Sequence, residues 1–327
     1  MARGAIAVGG APRRRRVRAF LLRLRSGDEV AHLVVLIFAS VIILVTVLLV
    51  FELYRNSGLA RQKFGWQFLF SRTWDPVFEQ FGALPFIFGT VVTSAVGLLV
   101  AVPLGVGAAI FLAEMAPLRI SDALTFVIEL LAAVPSVIYG LLAMFTLVPL
   151  LRTTVQPFLK KTLGWLPLFQ GPMYGVGLLA AGLILAVMIV PFIISISREV
   201  LLAVPVEQRE AALALGATRW ESTWRVVVPY ARAGILGSIF LAMARALGET
   251  MAVTMVIGND PKISSSLFAP GYSIAAVIAN EFTEATSDLY VHALIELGLV
   301  LFVLTIILNG LARLLILATQ RKGTAHP

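Results

Sequence analysis

The stretch at residues 210–229, EAALALGATRWESTWRVVVP, decides how this chain is read. It is a polar, charged island between two long apolar segments. Glu210-Ala211-Ala212 is followed by three residues, then Gly216, then nine residues, then an aliphatic-x-aliphatic-Pro run ending at Pro229. Ala211 to Leu215 are strong helix formers, and Pro205 or Glu207 suits a first helical turn. Gly216 adopts a positive φ without a Cβ clash and stops that helix. A second helical stretch over 218–227 puts Trp220, Thr223 and Trp224 on one side, with Arg219 and Arg225 nearby. Pro229 then opens the next apolar segment. The expectation is a helix-turn-helix over 205–230 with aromatic and basic anchors. Composition by itself also allows a plainer connector whose tryptophans sit among lipid headgroups.

The rest of the chain sets the surroundings of this island. Hydrophobic residues fill 59% of the 327 positions and charged residues only 13%, against roughly 45–50% and 25% in soluble domains. A bilayer must solvate such a chain, and in lipid only helices satisfy their own backbone within one segment. An all-α integral membrane protein follows. A crossing takes about 20 apolar residues, and six stretches qualify: 31–53, 84–112, 123–150, 175–197, 233–257 and 291–318. The middle four are interrupted by Pro85, Pro103, Pro135, Pro191 and Gly248, breaks that neighbouring helices can satisfy, which makes them better candidates for the pore-forming interior than the two outer stretches. Small residues recur every fourth position at Gly89, Thr93, Gly97, Ala101, Gly105 and Ala109, and again at Gly234, Ser238, Ala242, Ala246 and Thr250. Such stripes allow close helix approach in lipid. The chain divides into a basic leader (1–30), an outer helix (31–53), a core of five crossings (84–318) and a tail (319–327).

Twenty-six basic against 18 acidic residues give a net charge of +8. In a membrane chain this reads as arginine-rich cytoplasmic loops, not as nucleic-acid binding. Arg13 to Arg16, Arg18, Arg23 and Arg25 hold the amino terminus in the cytoplasm. Loops 113–122 and 198–232 and the tail with Arg321 and Lys322 then lie inside, and 258–290 lies outside. Basic residues in 54–83 and 151–174, also outside, obey the rule imperfectly. Phe64, Trp66, Phe68, Phe70, Trp74, Trp165 and Phe169 are expected to lie against the membrane interface. With no cysteine and only His32, His292 and His326, disulfides are excluded and a metal centre is not expected. The sequence has no Gly-rich phosphate loop and no catalytic-triad spacing, so an enzyme is disfavoured and no bound cofactor is expected.

The spaced pattern at 210–229 resembles the EAA loop of permease subunits in ATP-binding-cassette importers, with Val226 and Val228 where Ile and Leu are usual. FLAEMAP (111–117), ELLAAVPSVIYG (129–140) and RALGETMA (245–252) are similar to the phosphate-specific permeases, closer to the PstC-type subunit than to the PstA-type. The resemblance spans about 30–320. It implies a type I importer permease fold with a cytoplasmic coupling helix-turn-helix. It also implies uptake of inorganic phosphate across the cytoplasmic membrane, alongside a homologous PstA-type permease, two copies of an ATPase that binds the ATP, and an external phosphate-binding protein. Glu210, Ala211, Ala212, Gly216, Trp220, Trp224 and Pro229 are the residues this assigns to ATPase coupling.

Arg245 and Glu249, four residues apart in the fifth stretch, are expected on one helix face at membrane depth, where ionisable groups face a cavity or each other. Two readings are open. Arg245 presents a guanidinium fork to phosphate once Glu249 is displaced, or the two form a fixed ion pair between helices. Glu114 and Glu199 read as loop anchors, while Glu129 and Glu296 are membrane-depth carboxylates without an assigned partner. A permease for another oxyanion, such as molybdate or sulfate, and an ion-coupled secondary transporter are the competing classes.

Overall fold

The computed structural model describes residues 28–323, with side chains over 31–314. The leader arginines at 13–25 and the side chains of Arg321 and Lys322, on which part of the orientation argument rests, lie outside the described residues. The chain forms two compact units that divide between Arg55 and Asn56.

The first unit contains α1, Asp28–Asn56. Its side chains from Ala31 to Leu49 are all exposed, and apolar residues surround the axis without a polar stripe. A helix apolar all round is solvated by lipid or by other apolar surface. Its two hydroxyls return to the backbone: Ser40 Oγ donates to the Leu36 carbonyl (2.8 Å) and Thr46 Oγ1 to that of Ile42 (2.9 Å).

The second unit holds the other helices, among them a single turn at Gln67–Phe70 and the ten numbered next. These are α2 (Gly58–Phe64), α3 (Leu84–Met115), α4 (Leu118–Ala132), α5 (Ser136–Leu163), α6 (Leu178–Leu202) and α7 (Val206–Ala214). They continue with α8 (Arg219–Leu247), α9 (Met251–Thr254), α10 (Ile274–Glu281) and α11 (Asp288–Gly323). Six of the described helices, α1, α3, α5, α6, α8 and α11, are long and apolar enough to cross a membrane. The described residues contain no strand, only the isolated bridges Asp75–Gln80 and Gly258–Gly271.

The number of crossings agrees with the sequence, and three boundaries do not. The third stretch, expected over 123–150, is cut at Pro135: α4 stops at Ala132, and the spanning helix runs from Ser136. Proline pushes the residue before it out of the α region and cannot donate to the preceding turn. The fourth begins at Leu178 because Gly175 (φ 84°) and Gly177 (φ 143°) lie outside helical space. The fifth begins at Arg219, well before 233, and ends at Leu247, ten residues short of 257.

Among the described residues, four five-residue π turns widen the helices, at Phe111–Met115, Ala143–Leu147, Leu151–Val155 and Thr223–Val227. Each ends two residues before a proline: Pro117, Pro149, Pro157 and Pro229. A proline ring clashes with the carbonyl four residues back, and a wider turn removes that clash, which keeps the chain helical past Pro149, Pro157 and Pro229; before Pro117 the helix ends, with Ala116 extended. Pro103 and Pro191, inside α3 and α6, have no such turn.

The centre of the unit is α6 packed on α3. All six small residues of the α3 stripe are buried, as the spacing predicts. A Cβ on Gly105 would come within 2.8 Å of Ile193 Cγ2, and one on Gly182 within 2.5 Å of Val96 Cγ1. The α8 stripe behaves similarly, with Gly234 against Val200 and Ser238, Ala242 and Ala246 buried. Thr250 lies beyond the end of that helix. Ser197 and Ser238 bridge α6 and α8 with a 2.7 Å hydroxyl contact.

Part of the aromatic run read as interfacial is core instead. Phe68 is fully buried against Phe64, in a cluster where Phe64, Trp74, Phe81, Phe86, Tyr272 and Tyr290 pack edge-on or stacked on one another. Trp66 and Phe70 remain exposed, as does Trp165, while Phe169 packs on Phe268. The segment 258–290 is likewise no simple loop. Phe268, Tyr272 and Ile274 to Val277 are buried, and the Ile274 N–H is held by Thr90 Oγ1 of α3 at 2.9 Å.

Candidate functional site: the 205–230 segment and the broken end of α8

Pro205 lies in extended conformation (φ −55°, ψ 138°) and launches α7. The helix ends where Gly216 takes φ +86°. Its N–H bonds the Leu213 carbonyl (2.9 Å) and that of Ala217 bonds Ala212 (3.1 Å), satisfying carbonyls otherwise orphaned at a helix end. Thr218 then caps α8 reciprocally with Glu221: Thr218 Oγ1 accepts from the Glu221 N–H (3.2 Å), and Glu221 Oε2 accepts from the Thr218 N–H (2.9 Å). This is the expected helix-turn-helix with one change. The second arm is not a separate helix ending before Pro229. It is the first turns of α8, which the π turn at Thr223–Val227 carries past the proline.

The arms divide by exposure. Glu210, Ala211, Gly216, Trp220, Trp224 and Pro229 are exposed, and Leu215 most of all at 90%, whereas Ala212 is buried. Trp220 and Trp224 meet edge to face at 5.4 Å. An open cleft lies between the arms, lined by Gln208, Ala211, Leu215, Glu221, Arg225 and Val226 among others. The surface presents exposed apolar bulk and is anchored from behind.

The anchor is Arg209, which sequence reasoning counted only as a basic loop residue. Its Nη2 reaches Glu114 Oε1 at 3.0 Å and the Leu201 carbonyl at 2.7 Å; Nε also faces Glu114, and Nη1 reaches the Val204 carbonyl. Glu114 is thus an anchor, as expected. The available signal was helical spacing: Arg209 stands three residues before buried Ala212, on the inward face. Glu199 is exposed beside Arg198 (3.4 Å).

Arg245 and Glu249 do not share a helix. Arg245 sits exposed on the last turn of α8, where the helix dipole favours a cation. The helix ends at Leu247, and Gly248 turns the chain. Glu249 instead caps α9, its Oε1 accepting the Ala252 N–H at 3.3 Å. No ion pair joins the two among the described residues. The expectation of one helical face fails because the glycine break rotates Glu249 away.

The break brings together two motifs far apart in sequence. Gly140 of PSVIYG faces 245–255: an added Cβ would lie 3.2 Å from Ala252 Cα and 2.5 Å from Met255 Sδ. Next to it, buried Tyr139 donates its hydroxyl to the Leu131 carbonyl at 2.7 Å, across the Pro135 break. Glu129 is exposed on α4, and Glu296 is buried in α11 at 6% exposure.

Residues 101–320 match the family described as binding-protein-dependent transport system inner membrane component. The phosphate transport system permease protein PstC of Mesorhizobium japonicum is 50% identical over 290 residues, covering 86% of this chain and 89% of that protein. PstC of Haemophilus influenzae is 46% identical over 292 residues (88% and 92%). The probable PstC of Methanocaldococcus jannaschii is 37% identical over the same length (88% and 92%). These similarities run along most of the chain, well beyond the 205–230 segment. The chain therefore belongs to the inner-membrane components of binding-protein-dependent transport systems and, within them, to the PstC permease family.

Proposed function

We propose that this chain is the PstC-type permease subunit of an ATP-driven importer that carries inorganic phosphate across the cytoplasmic membrane. The observation that carries the proposal is the 205–230 segment: an exposed, capped helix-turn-helix fastened to the ends of membrane-spanning helices. Its partners are a homologous PstA-type permease, two copies of a cytoplasmic ATPase that binds the nucleotide, and an external phosphate-binding protein. The segment faces the cytoplasm, with both termini on that side, and the 258–290 region faces outward. Closure of the ATPase pair pulls Glu210, Ala211, Gly216, Trp220 and Trp224, with Ala212 and Pro229 holding the arms. That movement tilts the crossing helices and changes which side is open.

In this reading Arg245 lines the pathway at the break in α8, where a guanidinium fork meets the anion. Glu249 serves it indirectly, by fixing α9 and so the course of the chain beyond Gly248. The test is purification from membranes: the chain brings down an ATPase whose activity rises with phosphate-loaded binding protein and not with molybdate or sulfate. Failure to recover an ATPase, or stimulation by another oxyanion alone, refutes the proposal. Arg245→Gln is expected to abolish phosphate uptake in assembled complex, and near-native uptake would remove Arg245 from the pathway.

A further inference from the structure

The turn at Gly216 joins α7 to α8 directly, and α7 follows α6 within a few residues. Helix α3 is remote in sequence, yet it shares with α6 the closest packing in the unit. The side chain of Arg209 links all three. It is 19% exposed and its partner Glu114 10%, so water competes weakly for the contact. Nε and both terminal nitrogens are engaged: Nη2 and Nε on the Glu114 carboxylate of the π turn ending α3, Nη2 also on the Leu201 carbonyl in the last turn of α6, and Nη1 on the Val204 carbonyl just beyond that helix. Only a planar fork of donors reaches a carboxylate and two carbonyls at once. A second tie lies close by, where Arg198 Nη2 of α6 donates to Ser121 Oγ (3.2 Å) and Ser121 Oγ donates to the Leu112 carbonyl of α3 (2.8 Å). Around both, Ala109, Ile110, Leu112, Leu201 and Val204 are buried in one cluster.

We infer that Arg209 is a positioning residue that locks α7 to α3 through Glu114, so that force on the exposed arms enters α3 directly and not only the helices next to the segment in sequence. The inference rests on the coupling role proposed above. Without the clasp, α7 still docks the ATPase through its exposed face, but its movement reaches α3 only through apolar contact. ATP hydrolysis then continues while phosphate movement lags.

The experiment uses the complete reconstituted complex and measures phosphate taken up per ATP hydrolysed, together with subunit recovery. Arg209→Gln and Arg209→Lys complexes are expected to assemble and hydrolyse ATP, while phosphate moved per ATP falls by roughly tenfold, within the usual range of coupling between sites. Lysine fails as glutamine does because it keeps the charge and loses the fork. An unchanged ratio in both overturns the inference. The chain contains no cysteine, which opens a second arm that does not depend on those variants. In Arg209→Cys/Glu114→Cys, a short reducible cross-link between the two positions is expected to restore the ratio, and reduction to abolish it again. A cross-linked chain that stays uncoupled overturns the inference. If the unmodified complex shows no ATP-dependent phosphate uptake, the proposed function fails instead; if it does and the variants match it, only the role of Arg209 fails.

Discussion

The two ends of α3 are held by different chemistry. At its start, Gly89 lies against the Tyr272 backbone, Thr90 holds the Ile274 N–H, and an aromatic cluster closes over them. Glu281 Oε2 accepts from both Trp74 Nε1 (2.8 Å) and Tyr290 Oη (2.6 Å), tying three separate segments with one carboxylate oxygen. At the other end, α3 meets a segment with few buried side chains, held by caps, a positive-φ glycine and one clasped arginine. The first end is sealed by packing. At the second a smaller apolar cluster lies behind the segment, whose own large apolar side chains, Leu215, Trp220 and Trp224, point outward. The inversion suits the coupling role proposed for this segment, because burying Leu215 or Trp224 internally would leave nothing for a partner to grip.

The contrast can be broken at its strongest point. Gly89→Ala places a methyl 2.1 Å from the Tyr272 carbonyl oxygen, where backbone and not a flexible side chain must yield. Destabilisation of about 3 kcal/mol is expected, at the upper end for overpacking, read as lost yield and a lower melting midpoint in detergent. An unaffected midpoint would mean that this end is looser than its contacts indicate.

Glu281→Ala strands two donors, and an unsatisfied buried group costs about 1–3 kcal/mol. Glu281→Gln, which keeps an acceptor oxygen, is expected to recover most of that loss in the same melting experiment. Equal losses from both variants would show that the charge, not the acceptor, matters.

At the other end, Thr218→Ala removes one half of the cap, worth about 1 kcal/mol, and Gly216→Ala forces a Cβ into left-handed backbone at roughly 1–2 kcal/mol. No atom lies within 4 Å of the added Cβ, so the second penalty is purely conformational. Both should appear as faster amide hydrogen exchange over 206–222, with the melting midpoint of the whole protein nearly unchanged. A matching fall in the midpoint would show that the two ends unfold as one.

The smallest effect on folding belongs to Leu215→Ala, within about 0.5 kcal/mol for an exposed site away from special features. Its effect on ATPase recovery should be the largest of the exposed arm. Normal recovery would leave that protrusion without a role.

Much of this was legible in one dimension. Six apolar runs, the two small-residue stripes, the helix-stopping Gly216 and the island at 210–229 follow from composition and spacing, because lipid solvation, close packing and backbone conformation are each decided within a few neighbouring residues. Pro135 and Gly248 were also visible, yet their consequences were not. Whether a break in an apolar run bends a helix or ends it depends on what receives the freed backbone groups. Here the Leu131 carbonyl found Tyr139 and the Ala252 N–H found Glu249. Likewise Trp66 and Phe68 have similar chemistry and stand two residues apart, and only the packing of Phe68 into the buried cluster beside Phe64 decided which is exposed and which is core.

The sequence by itself determined the membrane class, the crossing count and the place of the helix-turn-helix at 205–230, since each rests on local pattern. Tertiary structure decided what is joined to what. It separated Arg245 from Glu249, which are four residues apart, and brought Arg209 to Glu114 across 95 positions. Ion pairs follow distance in space, and a single glycine between two charges, or a helix end folded beneath another, changes that distance without changing the pattern of the chain.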